Sequence, residues 1–181
     1  MQFCTLPAEE SAVRRYVEEL WLPYNRTLET AVASHALVDW SDDDIVEAEI
    51  DFRLGKLEAE GYELVVAVDD DADPADDDVA LADTPGDFTG FIATELNPAP
   101  PIFDQPDRLK IGDIFVREPY RGSGLASDLV DRVVERARDE NYPELALDVD
   151  VDNERALAFY DRIGFEPHRH TLTASVDGLT R

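Results

Sequence analysis

The sequence has very little cysteine and no long apolar run. Cys4 is the single cysteine among 181 residues, so no disulfide can form within the chain, and we expect a reducing, cytoplasmic compartment. No apolar run approaches the ~18 residues of a membrane-spanning helix. Acidic Glu9 and Glu10 follow the short apolar start of the chain, unlike a signal peptide. The sequence therefore predicts a soluble protein without a membrane partner.

Positive charge is also scarce. The chain has 16 Lys and Arg residues against 42 Asp and Glu residues, which gives a net charge of −26 at pH 7. A charge of this size opposes binding to nucleic acid and to anionic membranes, so we expect neither as a partner. An acidic, hydrated surface is typical of salt-adapted proteins, and we predict a halophilic archaeon as the source.

Metal-binding patterns are missing as well. Residues Asp69–Asp78 hold seven Asp in ten positions, but they lack the ligand spacing and the central Gly of an EF-hand loop. His168 and His170 are too few for a zinc site, because no Cys or carboxylate stands at ligand spacing beside them. We therefore predict no metal.

The composition and the first half of the chain indicate one α/β domain over residues 1–181. Hydrophobic residues make up 44% of the chain, which is enough for one core. Pro23 is expected to break the first helix. The Asp-rich segment is expected to be a solvated loop that joins the strands of a hairpin. The predicted elements are a strand at Gln2–Leu6, a helix opened by Pro7, helices at Leu28–Leu37 and Asp43–Glu60, and strands at Glu63–Val68 and Phe88–Glu95.

The second half alternates strands and helices. Its long helix has an apolar stripe from Leu125 to Ala137 at helical spacing, which predicts packing on a sheet. The predicted elements are strands at Ile111–Val116, Glu144–Val149 and Arg169–Ser175, and helices at Ser127–Glu140 and Asn153–Ile163. This order predicts a mixed sheet with helices on both faces.

A Gly-rich turn lies between the strand at Ile111–Val116 and the long helix. Gly122 and Gly124 have no Cβ, and the first amides of a helix lack intrahelical acceptors, so this turn can cradle a phosphate. A P-loop is excluded because no Lys occurs beyond Lys110. A dinucleotide fingerprint is excluded because Ser127 stands where a third Gly or Ala is needed. What remains is the pattern Arg121-x-x-Gly124-x-Ala126.

A second motif follows downstream. It reads Asn153-Glu-Arg-Ala156-Leu-Ala-Phe159-Tyr160-Asp-Arg-Ile-Gly164-Phe165. Together the two motifs resemble the coenzyme A loop and the C-terminal motif of the GNAT superfamily of N-acetyltransferases, and the resemblance covers Leu109 to Pro167. It implies a GNAT fold with a mixed central sheet of about six to seven strands and helices on both faces. It also implies transfer of an acetyl group from acetyl-CoA to a primary amine by direct attack in a ternary complex. The alternative is a non-catalytic acyl-CoA-binding or regulatory protein.

The resemblance also implies which residues bind acetyl-CoA. Arg121 and the loop amides are expected to hold the pyrophosphate, and the last residues of the preceding strand are expected to pair with the pantetheine arm. Asn153 is a preferred helix N-cap, and its other polar atom could reach the pantetheine amide. The expected cofactor-binding residues are Ile114, Phe115, Val116, Arg121, Gly122, Ser123, Gly124, Leu125, Ala126, Ser127, Asn153 and Tyr160.

The chemistry needs a base and an acid. An alkyl ammonium with a pKa near 10.4 must lose a proton before it attacks, so a carboxylate is expected close by. By resemblance Asp148 is the first choice as base, and Asp113 and Glu95 are alternatives. Tyr160 is expected to protonate the departing thiolate.

The acceptor side is less defined. Trp21 and Tyr24 follow the first helix, and they either contact the acceptor or are ordinary core aromatics. A small-molecule amine and a peptide or protein amine both remain open as acceptors. The resemblance also leaves a homodimer through the final strands open.

Overall fold

The structure is a computed structural model, and it describes residues 1–69, 81–84 and 86–176. Most of the predicted Asp-rich loop lies outside the described residues. By its internal contacts the chain divides into two compact units, Met1–Asp148 and Val149–Arg181. A single domain over residues 1–181 stays a prediction.

The first unit contains a five-stranded mixed sheet. Its strands follow chain order across the sheet; β1 to β4 are antiparallel neighbours, and β4 and β5 are parallel. The hairpin predicted around the Asp-rich segment is confirmed as the β2–β3 pair. The strands are β1 Gln2–Thr5, β2 Glu63–Asp69, β3 Asp87–Asn97, β4 Arg108–Val116 and β5 Glu144–Leu147.

The prediction of six to seven strands is wrong for the described residues. The strand predicted at Arg169–Ser175 is missing, and residues 166–175 adopt no regular structure. Leu172 is 91% exposed, so its apolar side chain buries almost nothing. A strand needs a partner for its backbone groups and a face to bury, and an alternating pattern alone supplies neither.

Four α-helices belong to the first unit. They are α1 Glu10–Tyr16, α2 Leu22–Ala31, α3 Asp42–Leu57 and α4 Leu125–Asp139, and a π-helical turn at Val17–Trp21 joins α1 to α2. None of the helices in the described part of the chain is both long and apolar enough to span a membrane.

The helices differ most clearly from the sequence prediction at Pro23 and at the end of α2, and by up to three residues at other ends. Pro23 does not break the first helix: Trp21 and Leu22 keep right-handed helical backbone angles, and Pro23 directly follows the π-helical turn that joins α1 to α2. The helix predicted to reach Leu37 stops at Ala31, because Val32 is extended with φ −136°. The next helix starts where predicted, since Ser41 Oγ accepts a hydrogen bond from the Asp44 amide at 3.2 Å and caps α3.

The helices cover both faces of the sheet. Alternate strand residues point to opposite faces. On β3, Phe91 belongs to the core that α1 and α3 cover. Gly90 faces the other side, where an added Cβ would lie 3.5 Å from Leu125 of α4. Thr94 Oγ1 accepts a hydrogen bond at 2.6 Å from Arg136 of α4. The predicted arrangement of helices is therefore confirmed.

The second unit contains one helix, α5 Glu154–Arg162, among its described residues. Asn153 Oδ1 accepts a hydrogen bond from the Ala156 amide at 3.2 Å and caps the helix. Gly164 has φ 97° and ends it in the left-handed conformation, as the sequence predicts. The Phe165 amide then donates to the Tyr160 carbonyl at 2.9 Å. The downstream motif thus forms a helix that begins at the Asn153 cap and ends at Gly164.

Candidate active site

The parallel pairing of β4 and β5 ends before β4 does. Their ladder runs from Arg108 opposite Glu144 to Ile111 opposite Leu147. The rest of β4, Gly112–Val116, pairs with β3 only on its other edge. Within the described chain, backbone groups on the free edge of this segment have no strand partner. An extended ligand could pair there as an added strand.

A β-bulge lies at the start of this open edge. Ile92 pairs with Ile114 and Thr94 pairs with Ile111, so one residue of β3 opposes two residues of β4. The two residues on β4 are Gly112 and Asp113. Bulges bend a strand and redirect its side chains, and they often occur beside functional sites. The bulge residues Gly112 and Asp113 are therefore the first two residues of the open edge.

The Gly-rich turn connects the open edge to α4. Gly122 and Gly124 have φ 79° and 101°, which is the left-handed region that favours glycine. A Cβ added at either residue would meet nothing within 4 Å, so the space beside the turn is open. The turn is therefore both built for glycine and accessible to a ligand.

The turn offers unpaired amides. The Ser127 amide, one of the predicted donors, instead donates to the Gly124 carbonyl at 2.8 Å. Ser123 Oγ donates to the Tyr120 carbonyl at 2.7 Å. Among the described residues, the amides of Gly122, Ser123 and Gly124 find no acceptor. Three such donors next to a helix N-terminus suit an anion.

Arg121 adds positive charge beside these amides. Its Nε donates to the Val116 carbonyl at 3.0 Å, and its guanidinium carbon lies 5.9 Å from the centre of the Phe115 ring. The side chain is thereby held against the end of β4, between the open edge and the turn. The Val116 carbonyl, predicted to pair with pantetheine, already accepts this hydrogen bond.

A small pocket lies at the other end of the open edge. It has a volume of about 170 Å³, and Gly112 and Asp113 of the bulge form part of its wall. Residues of α3, β3 and the segment between α3 and β2 complete it: Phe52, Arg53, Lys56, Tyr62, Ala93, Thr94 and Glu95. The open edge therefore leads from the Gly-rich turn to a pocket that contains a carboxylate.

Comparison with known proteins decides the family. The model of the acetyltransferase (GNAT) family matches residues 10–165. The chain belongs to this family. It is 42% identical over 55 residues to the N-alpha-acetyltransferase MAK3 of Arabidopsis thaliana, which covers 30% of the chain and 29% of that protein. The chain spans 29 to 40% of the length of the first curated relatives that it matches.

Solved structures share the fold of this GNAT protein. A mutant of the BH1408 protein from Bacillus halodurans superposes with a TM-score of 0.72 at 18% identity, covering 97% of this chain and 99% of that chain. AAC(6')-Iy, solved with the bisubstrate analogue CoA-S-monomethyl-acetylneamine, has a TM-score of 0.59 at 15% identity. That match covers 96% of each chain.

Asp113 of this GNAT protein has an unusual carboxylate environment. Burial raises its pKa, while the charge of Arg53 and a hydrogen bond from the Tyr24 hydroxyl, at 3.3 Å from Oδ1, lower it. His35 also lowers this pKa, and Glu95 raises it. The net effect raises the pKa of Asp113 from its ordinary value, and burial is the largest cause. A carboxylate with a raised pKa is a stronger base.

Arg53 is the buried cation of the pocket. Its Nε and Nη2 donate to Glu49 Oε1 at 2.9 and 2.5 Å, and its Nη1 donates to the Tyr62 hydroxyl. Burial raises the pKa of Glu49 and of the Tyr62 hydroxyl. The sequence prediction missed these three residues. The spacing of Glu49 and Arg53 by four residues was the only signal, and many pairs in so charged a chain share it.

The other predicted bases lie in simpler surroundings. Asp148 follows β5, its side chain is 89% exposed, and its Oδ2 lies 2.8 Å from Lys110 Nζ. Glu95 is a wall residue of the pocket and forms an ion pair with Lys56 at 2.6 Å. Asp113 and Glu95 thus share the pocket. Asp148 as the base stays a prediction.

Tyr24 and Trp21 are both partly buried against the core. The Tyr24 ring packs on Phe91 and Phe115, with centroid distances of 5.8 and 5.4 Å, while its hydroxyl donates to Asp113. Tyr24 therefore serves the core and the site together. The described residues contain no group of three or more His, Cys, Asp or Glu able to hold a metal ion.

Tyr160 and Asn153 lie in the second unit. The Tyr160 ring packs edge-on against Phe159 and Phe165, with centroid distances of 5.4 and 5.5 Å. These contacts fix the ring within its own motif. Asn153 uses Oδ1 for the helix cap, which leaves its amide nitrogen outside the cap. The roles of both residues toward a ligand stay predictions.

Proposed function

We propose that this GNAT protein transfers the acetyl group of acetyl-CoA to a primary amine by direct attack in a ternary complex. The open edge of β4, which joins the anion-binding turn to the pocket of Asp113, carries this proposal. The family match supports it, as does the solved neighbour that binds a coenzyme A bisubstrate analogue.

The residues present fit acetyl-CoA. The unpaired amides of Gly122–Gly124 and the cation of Arg121 suit a pyrophosphate. The backbone of Ile114–Val116 would pair with the extended pantetheine arm, except for the Val116 carbonyl, which already accepts from Arg121. Leu125, Ala126 and Ser127 would bring the N-terminus of α4 toward the phosphates, and Asn153 would bind the pantetheine amide. When bound, acetyl-CoA supplies the thioester whose acyl group is transferred.

Asp113 is our preferred base. It lines the pocket at the end of the open edge, where an acceptor amine and a thioester could meet. Its raised pKa strengthens it as a proton acceptor, and Tyr24 holds one of its oxygens in place. Asp148 remains the second candidate, and its exposed position with Lys110 makes it the weaker one. We propose Tyr160 as the acid that protonates the departing thiolate.

Binding of acetyl-CoA tests the turn. In calorimetric titration, Arg121→Glu should weaken binding at least about tenfold, because a charge-assisted hydrogen bond to phosphate contributes about 1.5–3 kcal/mol. Arg138→Glu makes the same charge change near the end of α4 and should have little effect. An equal loss of acetyl-CoA affinity in both variants would show that the loss comes from the change in net charge and not from the position of Arg121. Saturable binding without turnover of any amine would support the non-catalytic alternative.

The dependence of kcat/KM on pH tests the base. Asp113→Asn should lower kcat/KM by about 10²–10⁴-fold, the usual contribution of a general base. The wild type should lose activity on acidification with a midpoint above 3.9, the ordinary pKa of Asp, and the variant should lack this step. The titration of the acceptor amine is common to both proteins. Asp148→Asn is the matched control, and a larger loss in that variant would move the role of base to Asp148.

Turnover of a Tyr160→Phe variant tests the acid. Loss of the hydroxyl should lower kcat by about 10²-fold or more while acetyl-CoA affinity changes little, because proton donation matters only in the transition state. Tyr142→Phe, which removes a hydroxyl outside both motifs, should keep full kcat. An unchanged kcat in Tyr160→Phe would leave this side chain with a packing role alone.

A further inference from the structure

The two cations that line the pocket are both bound to carboxylates of the protein. Arg53 and Lys56 are the two basic residues in the described wall of the pocket. Arg53 pairs with Glu49, and Lys56 pairs with Glu95. A ligand that entered the pocket with an anionic group would therefore find each cation already neutralised.

Arg53 cannot turn toward a ligand at low cost. Its Nε, Nη1 and Nη2 all donate hydrogen bonds to Glu49 or Tyr62. Arg53 and Glu49 are 4% and 8% exposed, so water cannot replace either partner. Breaking a buried ion pair leaves an uncompensated buried charge, which is strongly unfavourable. The guanidinium is thus a fixed part of the wall.

Lys56 is held from two sides. Its Nζ lies 2.6 Å from Glu95 Oε2 and 5.2 Å from the centre of the Tyr62 ring. A cation over an aromatic face is attracted to the ring as well as to its carboxylate partner. Unlike Arg53, Lys56 is about one-third exposed, so removing its partner would make its charge available to a ligand.

Asp113 gives the pocket an excess of negative charge. When it is ionised, the three carboxylates of Glu49, Glu95 and Asp113 outnumber the two cations. An ammonium group would balance the excess, whereas a carboxylate or phosphate would meet a like charge without a counter-ion. Repulsion of this kind is a common source of specificity.

Other basic residues of the first unit continue this pattern. The remaining basic residues of α1–α3 are Arg14, Arg15 and Arg26, and each forms an ion pair with at least one carboxylate. Lys110 and Arg136, which lie beside the pocket wall, are also paired with carboxylates. Among the described residues, no Lys or Arg near the pocket therefore offers an uncommitted positive charge.

We propose that the pocket selects primary amines that carry no anionic group next to the reacting nitrogen, and rejects free amino acids and other amines that do. This inference rests on the proposed acetyltransferase function and names its acceptor class. An amine beside an amide, a hydroxyl or a second ammonium fits the charges of the pocket. The same amine beside a carboxylate does not.

Matched pairs of acceptors test the selection. Alanine with alaninamide, and O-phosphoethanolamine with ethanolamine, differ in one anionic group. Acetylation would be measured with acetyl-CoA at about pH 9, with kcat/KM expressed per neutral amine so that the amine pKa cancels. Spermidine would be the additional acceptor without any anion. We expect kcat/KM to be at least about tenfold higher for the member of each pair that lacks the anionic group, alaninamide or ethanolamine. This is the effect of one unfavourable charge interaction.

A variant that frees Lys56 sharpens the test. Glu95→Gln removes the partner charge and should reduce the preference for alaninamide over alanine about fivefold, the scale of a partly exposed ion pair. The ratio of the two substrates is compared within each protein, so any general loss of activity cancels. Glu47→Gln makes the same charge change at the exposed Arg14 pair, outside the pocket, and should leave the ratio unchanged.

The outcomes separate the inference from the proposed function. Turnover of alanine as efficient as that of alaninamide would overturn the inference and leave the acetyltransferase intact. An equal change of the ratio in Glu95→Gln and Glu47→Gln would also overturn it, because the effect would then be one of net charge. If none of the five amines is acetylated, the result contradicts the proposed function, and the inference falls with it.

Discussion

The early end of the β4–β5 ladder is the constraint on which the rest of the site depends. The last parallel pair is Ile111 with Leu147, and the bulge at Gly112 and Asp113 follows at once. A bulge bends its strand and increases its twist, so β4 leaves β5 there while it stays paired with β3. Beyond Val116 the chain continues toward the Gly-rich turn. One irregularity thus opens a backbone edge, places a carboxylate at a pocket and sets the distance between that pocket and the Gly-rich turn.

The pKa values of the carboxylates around the pocket depend on burial as well as on ion pairing. Burial raises the pKa of Asp113 and of Glu49, and Arg53 opposes both shifts from a fixed position. Because Arg53 is committed to Glu49 and Tyr62, it tunes Asp113 without neutralising it by a direct contact. In a chain of net charge −26, most carboxylates face solvent, so a carboxylate with a buried, hydrogen-bonded environment is the exception. This contrast is why the contacts favour Asp113 over the exposed Asp148 as the base.

Much of this could be predicted from local sequence. Gly122 and Gly124 require left-handed backbone, Asn153 and Gly164 begin and end a helix, and these signals act within a few residues. The family motifs therefore located the turn and the last helix correctly. Pro23 was misleading because the chain stays helical through it, next to a π-helical turn that the sequence pattern does not reveal. The missing final strand depends on a partner distant in sequence, which periodicity does not reveal. The Glu49–Arg53–Tyr62 cluster is local in sequence, but its significance depends on burial, which a spacing of four residues does not reveal. The halophilic source, the cytoplasmic location and a homodimer stay predictions.

Amide hydrogen exchange with and without acetyl-CoA tests most directly whether the open edge of β4 and the turn form one binding surface. The account predicts that acetyl-CoA slows exchange in peptides covering residues 112–127, because backbone groups that lack protein partners gain ligand partners. The strand β2, which is paired on both edges, serves as the internal reference and should exchange at the same rate in both states. Saturable binding that protects other peptides and leaves residues 112–127 unchanged would contradict the account.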